Sequence, residues 1–302
     1  MGTLFTITLY APDETNARIS VDAAFAKITA LDRMLTDYDP DSELMRLCQR
    51  PAGEPTSVSE ELFEVLQESQ RIAELTDGAF DVTIGPLARL WRRARRAGTL
   101  PLPEQLAHAR ESVGWRKLQL NARHRTVTLT VPNMQLDLGG IAKGYAADKA
   151  LDVLKSHGCA RALVAASGDI AVGDPPPGQR GWRVSVDGFE DNKGKPVRLL
   201  HLSNAAVSTS GDAEQFVEIG GNRYSHIVDP HTGVGLTNRL QVSIVGKRAV
   251  ATDPLATAAT VLGAQRGRVM VESQRGLGAV FIIPDQATSQ VIVVGRMDAF
   301  DQ

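Results

Sequence analysis

Beyond residue 160 the chain is a succession of short β-branched runs cut by Gly, Pro and Asp, and that punctuation excludes most folds. Such runs fall at 161–166, 182–187, 197–202, 214–219, 241–245, 278–283 and 289–295. Only one helical pattern, near 253–263, interrupts them. Parallel strands need long crossovers, usually helical, between successive members, whereas antiparallel strands need only turns. The first half supplies the helices. After a strand at 3–10, Ala17, Val21, Ala24, Phe25, Ile28, Leu31 and Leu35 recur at helical spacing. A polar turn follows at 37–42, and Ser59 caps a second helix with Leu62, Val65, Leu66, Ile72 and Ala73 on its buried stripe. Two further strands are expected at 126–131 and 134–138, joined by Pro132-Asn133. A glycine-bearing turn then leads into a helix over 143–157, which Gly158 ends. Without strict βαβ alternation, the expectation is an α+β fold, largely antiparallel, with helices packed on the sheets. No linker or repeat divides it, so residues 1–302 are expected to form one unit, with a two-lobed build left open.

Composition narrows the function classes. The 302 residues carry 33 Lys and Arg against 35 Asp and Glu, a net charge of −2, which gives no basic footprint for nucleic acid. The short cluster Arg89, Arg92, Arg93, Arg95 and Arg96 reads as a solvated helix face, with a phosphate or partner patch as the alternative. Two cysteines, Cys48 and Cys159, make neither a disulfide framework nor a cysteine-rich metal site. No run approaches the roughly 18–20 apolar residues that span a bilayer. The opening Met1-Gly2-Thr3-Leu4-Phe5 is not a signal peptide. The expectation is either a cytoplasmic protein or one whose leader has been removed. Membrane contact would then come only through an N-terminal anchor that this sequence does not contain.

Four segments could carry chemistry. In Asp253-Pro254-Leu255-Ala256-Thr257 the proline suits a first helical turn, which makes Thr252 or Asp253 the expected cap. Asp253 and Thr257 then lie about 40° apart around the helix, opposite the stripe of Leu255, Ala258, Ala259 and Leu262. A carboxylate and a hydroxyl so placed suit Mg²⁺, which takes few protein ligands; the alternative is a capped helix with an exposed threonine. In Asp137-Leu138-Gly139-Gly140-Ile141-Ala142-Lys143-Gly144-Tyr145 a strand ends in glycines and a helix begins with a lysine, which reads as a phosphate site or a tight turn. It is neither a Walker A loop nor a G-x-G-x-x-G motif. In Ser225-His226-Ile227-Val228-Asp229-Pro230-His231-Thr232-Gly233, His226 is a candidate general base and Asp229 a candidate partner to orient it. In the segment 76–87, a turn, a short strand and a proline-started helix are expected. There Phe80 could flank an aromatic ligand and Asp81 could accept from it, or Phe80 could be core and Asp81 a cap or turn residue.

Taken in order, these segments resemble the ApbE family of FAD:protein FMN transferases. The matching stretches are Met1-Gly2-Thr3, 38–44, 76–87, 137–148, Ser167-Gly168-Asp169-Ile170, 208–212, 225–233 and 253–263. The resemblance implies a T-fold-like α+β architecture with FAD in a cleft between its two parts. It implies Mg²⁺ held by Asp253, Thr257 and the Gly140 carbonyl, with His226 as the base. Met1, Tyr38, Ala79, Phe80, Asp81, Asp137, Lys143 and Ile227 would line the FAD site. The implied reaction attaches FMN through a phosphoester bond to a Thr or Ser of an acceptor flavoprotein and releases AMP. Two other outcomes share those residues: hydrolysis of FAD to FMN and AMP, and FAD binding without catalysis. Cys48 stands where relatives often carry asparagine, and Ser167 where they often carry glycine.

Overall fold

The computed structural model describes residues 2–189, 196–211, 216–285, 289–297 and Phe300. Met1 and Asp212, both within the matched stretches, lie outside the described residues. In chain order, β1 (Phe5–Leu9) and α1 (Glu14–Leu35) lead to α2 (Glu43–Cys48), β2 (Thr56–Ser57), α3 (Glu60–Leu75), α4 (Gly85–Ala97) and α5 (Pro103–Glu111). β3 (Leu118–Asn121), β4 (Thr126–Leu129), α6 (Ala142–Ser156), β5 (Ala162–Ala166), β6 (Asp169–Val172), β7 (Trp182–Val186) and β8 (Arg198–Leu202) follow. The chain continues with β9 (Ala205–Gly211), β10 (Phe216–Ile219), β11 (Asn222–Ser225), β12 (Gln241–Gly246), α7 (Ala249–Ser273), β13 (Gly278–Ile283) and β14 (Gln290–Gly295). The expected α+β, antiparallel class is the one observed.

The chain divides into two compact units: residues 1–31, 141–213 and 239–302 form the first, and residues 32–140 and 214–238 the second. The first is built on a seven-stranded sheet of order β1-β5-β6-β9-β12-β13-β14, every neighbouring pair antiparallel. Its strands sort their side chains with period two. Ala162 and Val164 of β5 pack with Ala147, Ala150, Leu151 and Leu154 of α6 and with Ala24 and Ile28 of α1. Leu163 and Ile170 point the other way, into a core with Trp182, Val184, Leu200 and Leu202 of the β7–β8 hairpin. The sheet is therefore covered on both faces, and all six residues of β12 are buried. The second unit holds α2 to α5, the three-stranded β2-β4-β3 sheet and the β10–β11 hairpin.

Local chemistry explains the helix starts in the second unit. The Ser59 hydroxyl accepts from the Leu62 N–H at 3.2 Å, as expected of a cap for α3. Ser42 caps α2 in the same way, accepting from Met45 at 3.0 Å; this six-residue helix was not anticipated. α4 has its proline in the first turn and buries Leu87, Ala88, Trp91 and Ala94.

Three expectations need correction. The strand expected at 134–138 does not form, and Gln135 makes only an isolated parallel bridge to Ile84. Its backbone donors go elsewhere, Leu136 N–H to the Cys48 thiol sulfur at 3.3 Å and Asp137 N–H to the Val82 carbonyl at 2.8 Å. The β4 partner is instead β3. The short strand expected within 76–87 is likewise a run of turns with the same single bridge. Finally, the last helix begins at Ala249, with Arg248 as its N-cap, and Pro254 lies inside it rather than in its first turn. Near its middle the helix breaks at Gly263, whose φ of 77° and ψ of 169° are not helical.

Candidate functional site

The earlier start of α7 has a long-range cause. Asp148 of α6 accepts from two N–H groups of the first turn of α7, Ala249 at 3.0 Å and Val250 at 2.9 Å. Arg248 Nε closes the arrangement at 3.1 Å from the same carboxylate, whose side chain is 3% exposed. Burial pushes the Asp148 carboxyl up, against the pull of Arg248 and the two backbone donors. A cap supplied by another helix leaves no local signature, so the sequence favours Thr252 or Asp253.

One turn back along α6, Gly144 brings the two helices into backbone contact. A Cβ there would sit 2.7 Å from the Ala249 carbonyl carbon and 2.9 Å from Asp253 Cβ. The close approach lets the Gly144 N–H donate to Asp253 Oδ2 at 3.1 Å. Lys143 extends to the same carboxylate, with Nζ 3.5 Å from Asp253 Oδ1, and also forms an ion pair with Asp169 at the start of β6. Asp169 and Asp253 are 2% and 4% exposed. Two carboxylates thus share one ammonium in a nearly dry setting, leaving an excess negative charge.

The electrostatics follow. Burial, then the neighbouring Asp169 charge, pushes the Asp253 carboxyl up to about 7, although Lys143 and the Gly144 amide favour its ionised form. Burial acts to lower the Lys143 ammonium, but Asp253 and Asp169 together hold it above the ordinary lysine range. Thr257 follows Asp253 by one helical turn and is half-buried. The two were expected opposite the buried stripe of α7. Instead Asp253 is buried with Pro254, Leu255, Ala256, Ala258 and Ala259, because residues 252–260 of the helix are enclosed on nearly all sides. Behind it, Ser208 of β9 and Thr252 share a hydrogen bond of 2.9 Å.

Hard oxygen donors with unbalanced negative charge fit a small divalent cation such as Mg²⁺. Among the described residues, no group of three or more His, Cys, Asp or Glu side chains is placed to hold a metal ion. A cation at Asp253 would therefore draw on neutral oxygens and substrate phosphates as well. Gly140, whose carbonyl the family resemblance assigns to the metal, lies in the turn that precedes α6.

The second unit carries the remaining expected residues. His226 is half-buried at the bend after β11. Its loop is pinned by Trp91, whose indole N–H donates to the Ser225 carbonyl at 3.0 Å. The Ile227 N–H donates to the Ser225 hydroxyl at 3.0 Å, and Leu236 N–H returns to the Ile227 carbonyl at 2.9 Å. Asp229, the candidate partner of His226, accepts from the His231 backbone at 2.8 Å and lies 3.0 Å from His231 Nδ1. Ala79, Phe80 and Ile227 are buried. Asp81 is also buried, and its Oδ1 accepts from the Thr83 backbone at 2.8 Å and the Thr83 hydroxyl at 2.7 Å, the turn role considered for it. Burial pushes its carboxyl up, with the Thr83 hydrogen bonds acting against the shift.

Arg92 departs from the solvated helix face expected of the arginine cluster. It donates to Asp37 at 2.6 Å and to Asp137 at 2.7 Å. Tyr38, 76% exposed, lies over its guanidinium at 5.1 Å. Asp137 also accepts from the Gly139 N–H at 2.9 Å. Burial pushes the Asp137 carboxyl up, and Arg92 is the chief force against that shift. Ser167, where a glycine was the alternative, takes a φ of 59° at the β5–β6 turn, in the left-handed region that glycine occupies most readily.

The buried charges of Lys143, Asp169 and Asp253 on the α6–α7 seam of this α+β scaffold make that seam the candidate site. The ApbE family matches residues 1–281. The FAD:protein FMN transferase of Salmonella typhimurium is 31% identical over 288 residues, 94% of this chain and 82% of that protein. That of Treponema pallidum is 32% identical over 317 residues, 100% of this chain and 88% of that one. The solved flavin transferase ApbE from Vibrio cholerae superimposes with a TM-score of 0.87 at 29% identity, covering 99% of this chain and 96% of the other. The chain belongs to the ApbE family.

Proposed function

We propose that this chain is a Mg²⁺-dependent FAD:protein FMN transferase, which joins FMN through a phosphoester bond to a Thr or Ser of an acceptor flavoprotein and releases AMP. The observation that carries the reading is the buried Lys143–Asp169–Asp253 cluster. Two of its three residues, Asp253 and Lys143, are ones that the family resemblance assigns to metal and FAD. The names of the relatives support the activity, and the donor set supports the metal.

Asp253 and Thr257, one turn apart on α7, would hold the metal, with the Gly140 carbonyl as the third ligand that the resemblance implies. Bound there, Mg²⁺ supplies charge neutralisation on the FAD pyrophosphate. Lys143, paired with Asp169 and Asp253, would offer its ammonium to the same phosphates. His226 takes the proton of the acceptor hydroxyl on an imidazole nitrogen. The hydroxyl oxygen then attacks the phosphorus on the FMN side, the bond to the bridging oxygen breaks, and AMP departs. Such phosphoryl transfer depends mostly on positioning and charge, with general-base help adding roughly 10²–10⁴-fold. Met1, Tyr38, Ala79, Phe80, Asp81, Asp137 and Ile227 would line the FAD site, as the resemblance implies.

The test combines the full chain, FAD, Mg²⁺ and an acceptor domain bearing an Asp-x-x-Ser/Thr-Gly-Ala-Thr-like motif. Acceptor fluorescent in a denaturing gel, heavier by the mass of an FMN adduct, is the expected result. His226→Ala should lose transfer while retaining FAD. AMP without labelled acceptor would make the chain an FAD pyrophosphatase, and neither product would leave a flavin-binding protein.

A further inference from the structure

Tyr38 is the most exposed large aromatic side chain described in the chain, and its ring rests on a cation rather than on an apolar surface. That cation is not free to move. Arg92 leaves α4 one residue after Trp91, which is 1% exposed, so its Cα is set by the core of the second unit. Its two terminal nitrogens are divided between two loops. One holds Asp37, the residue before Tyr38, and the other holds Asp137. Each loop also has local hydrogen bonds of its own, among them Tyr38 N–H to Thr36 Oγ1 at 3.3 Å and Ser42 Oγ–H to the Thr36 carbonyl at 2.7 Å in the first, and Gly139 N–H to Asp137 Oδ1 at 2.9 Å in the second. None of these local bonds joins one loop to the other. The guanidinium is the shared element.

We propose that Arg92 is a positioning residue for FAD, setting the Tyr38 ring and the Asp137 carboxylate in one fixed relation. The inference rests on the proposed placement of FAD against those two residues. A planar guanidinium can serve two carboxylates and one ring face together, because its donors diverge in the plane while its face stays open. A lysine ammonium, being a point charge, cannot keep all three contacts. The two carboxylates are 11% and 12% exposed, so the hydrogen bonds hold in a partly dry setting.

The test measures FAD affinity by quenching of flavin fluorescence, the absorbance spectrum of bound flavin, and thermal unfolding, for Arg92→Lys and Tyr38→Ala. Loss of a charge-assisted hydrogen bond typically weakens a site about tenfold or more. Arg92→Lys should therefore bind FAD about tenfold or more weakly and shift the bound-flavin spectrum, with its unfolding temperature within a few degrees of wild type. Should that variant not fold, Asp37→Asn is read in the same way, since it removes the anchor beside Tyr38 and leaves α4 intact. Wild-type affinity and spectrum in the arginine variant, alongside weakened binding in Tyr38→Ala, would overturn the role of Arg92. So would weaker binding with an unchanged spectrum at saturating FAD. If Tyr38→Ala binds FAD normally, the placement of FAD fails instead, and the two failures are told apart.

Discussion

Gly144→Ala puts a single methyl group at the seam between α6 and α7. The added Cβ would lie 2.7 Å from the Ala249 carbonyl carbon and 2.9 Å from Asp253 Cβ, where ordinary contact begins at 3.4 Å. The Ala249 carbonyl oxygen is closer still, so the first turns of α7 must withdraw by about 1 Å, against the hydrogen bonds that Asp148 makes to Ala249 and Val250. Overpacking of this kind costs about 1–3 kcal/mol. Replacing glycine by alanine inside a helix returns about 1 kcal/mol of that. The net loss, about 0–2 kcal/mol, should lower the unfolding temperature by no more than several degrees. The functional effect should be larger, because the Gly144 N–H and the Lys143 ammonium both lose their register with Asp253. Misplacing a reacting constellation by about 1 Å can cost about 10²-fold. Thermal unfolding, together with a Mg²⁺ titration of FAD turnover, separates the two effects. A variant that melts slightly lower yet keeps wild-type turnover and metal dependence would refute the claim that this seam places Asp253.

Two further outcomes follow from the charges. Asp253 titrates near 7 in the folded chain rather than near its ordinary 3.8, so its ionisation opposes folding as pH rises through that interval, and a bound cation offsets the opposition. The stabilisation by Mg²⁺, read as a rise in unfolding temperature, should accordingly be greater at pH 8 than at pH 6; an equal rise at both would refute the assignment. Asp148→Asn keeps one acceptor for α7 but turns an amide toward the other N–H. It should cost about 1–3 kcal/mol by chemical denaturation, and a loss below about 0.5 kcal/mol would show that the cap is not what starts the helix.

Much of this fold is legible in the sequence where the causes are local. Ser59 announces α3, Pro86 opens α4, and the β-branched runs of β5, β12, β13 and β14 sit within a residue of their expected positions. What escapes notice depends on partners far along the chain. The Asp148 carboxylate starts α7 from 101 residues away, so the local Asp-Pro signal marks a position inside the helix rather than its first turn. Residues 134–138 have strand-like alternation, but Cys48 and Val82 take their amide donors before a neighbouring strand can. The site shows the same division. Asp253, Lys143 and His226 can be named from motifs, whereas Asp169 is only part of a matching stretch. Arg92 looks like a surface charge because Asp37 and Asp137 stand 55 and 45 residues away.

The most direct test of the central claim, that the buried Asp253 carboxylate is the anchor for a divalent cation, is calorimetric titration of Mg²⁺ into the FAD-loaded chain at pH 8, beside Asp253→Asn under the same conditions. The account predicts one saturable site in the wild type and no measurable binding in the variant. Equal affinity and equal stoichiometry in the two proteins would place the metal elsewhere and contradict it.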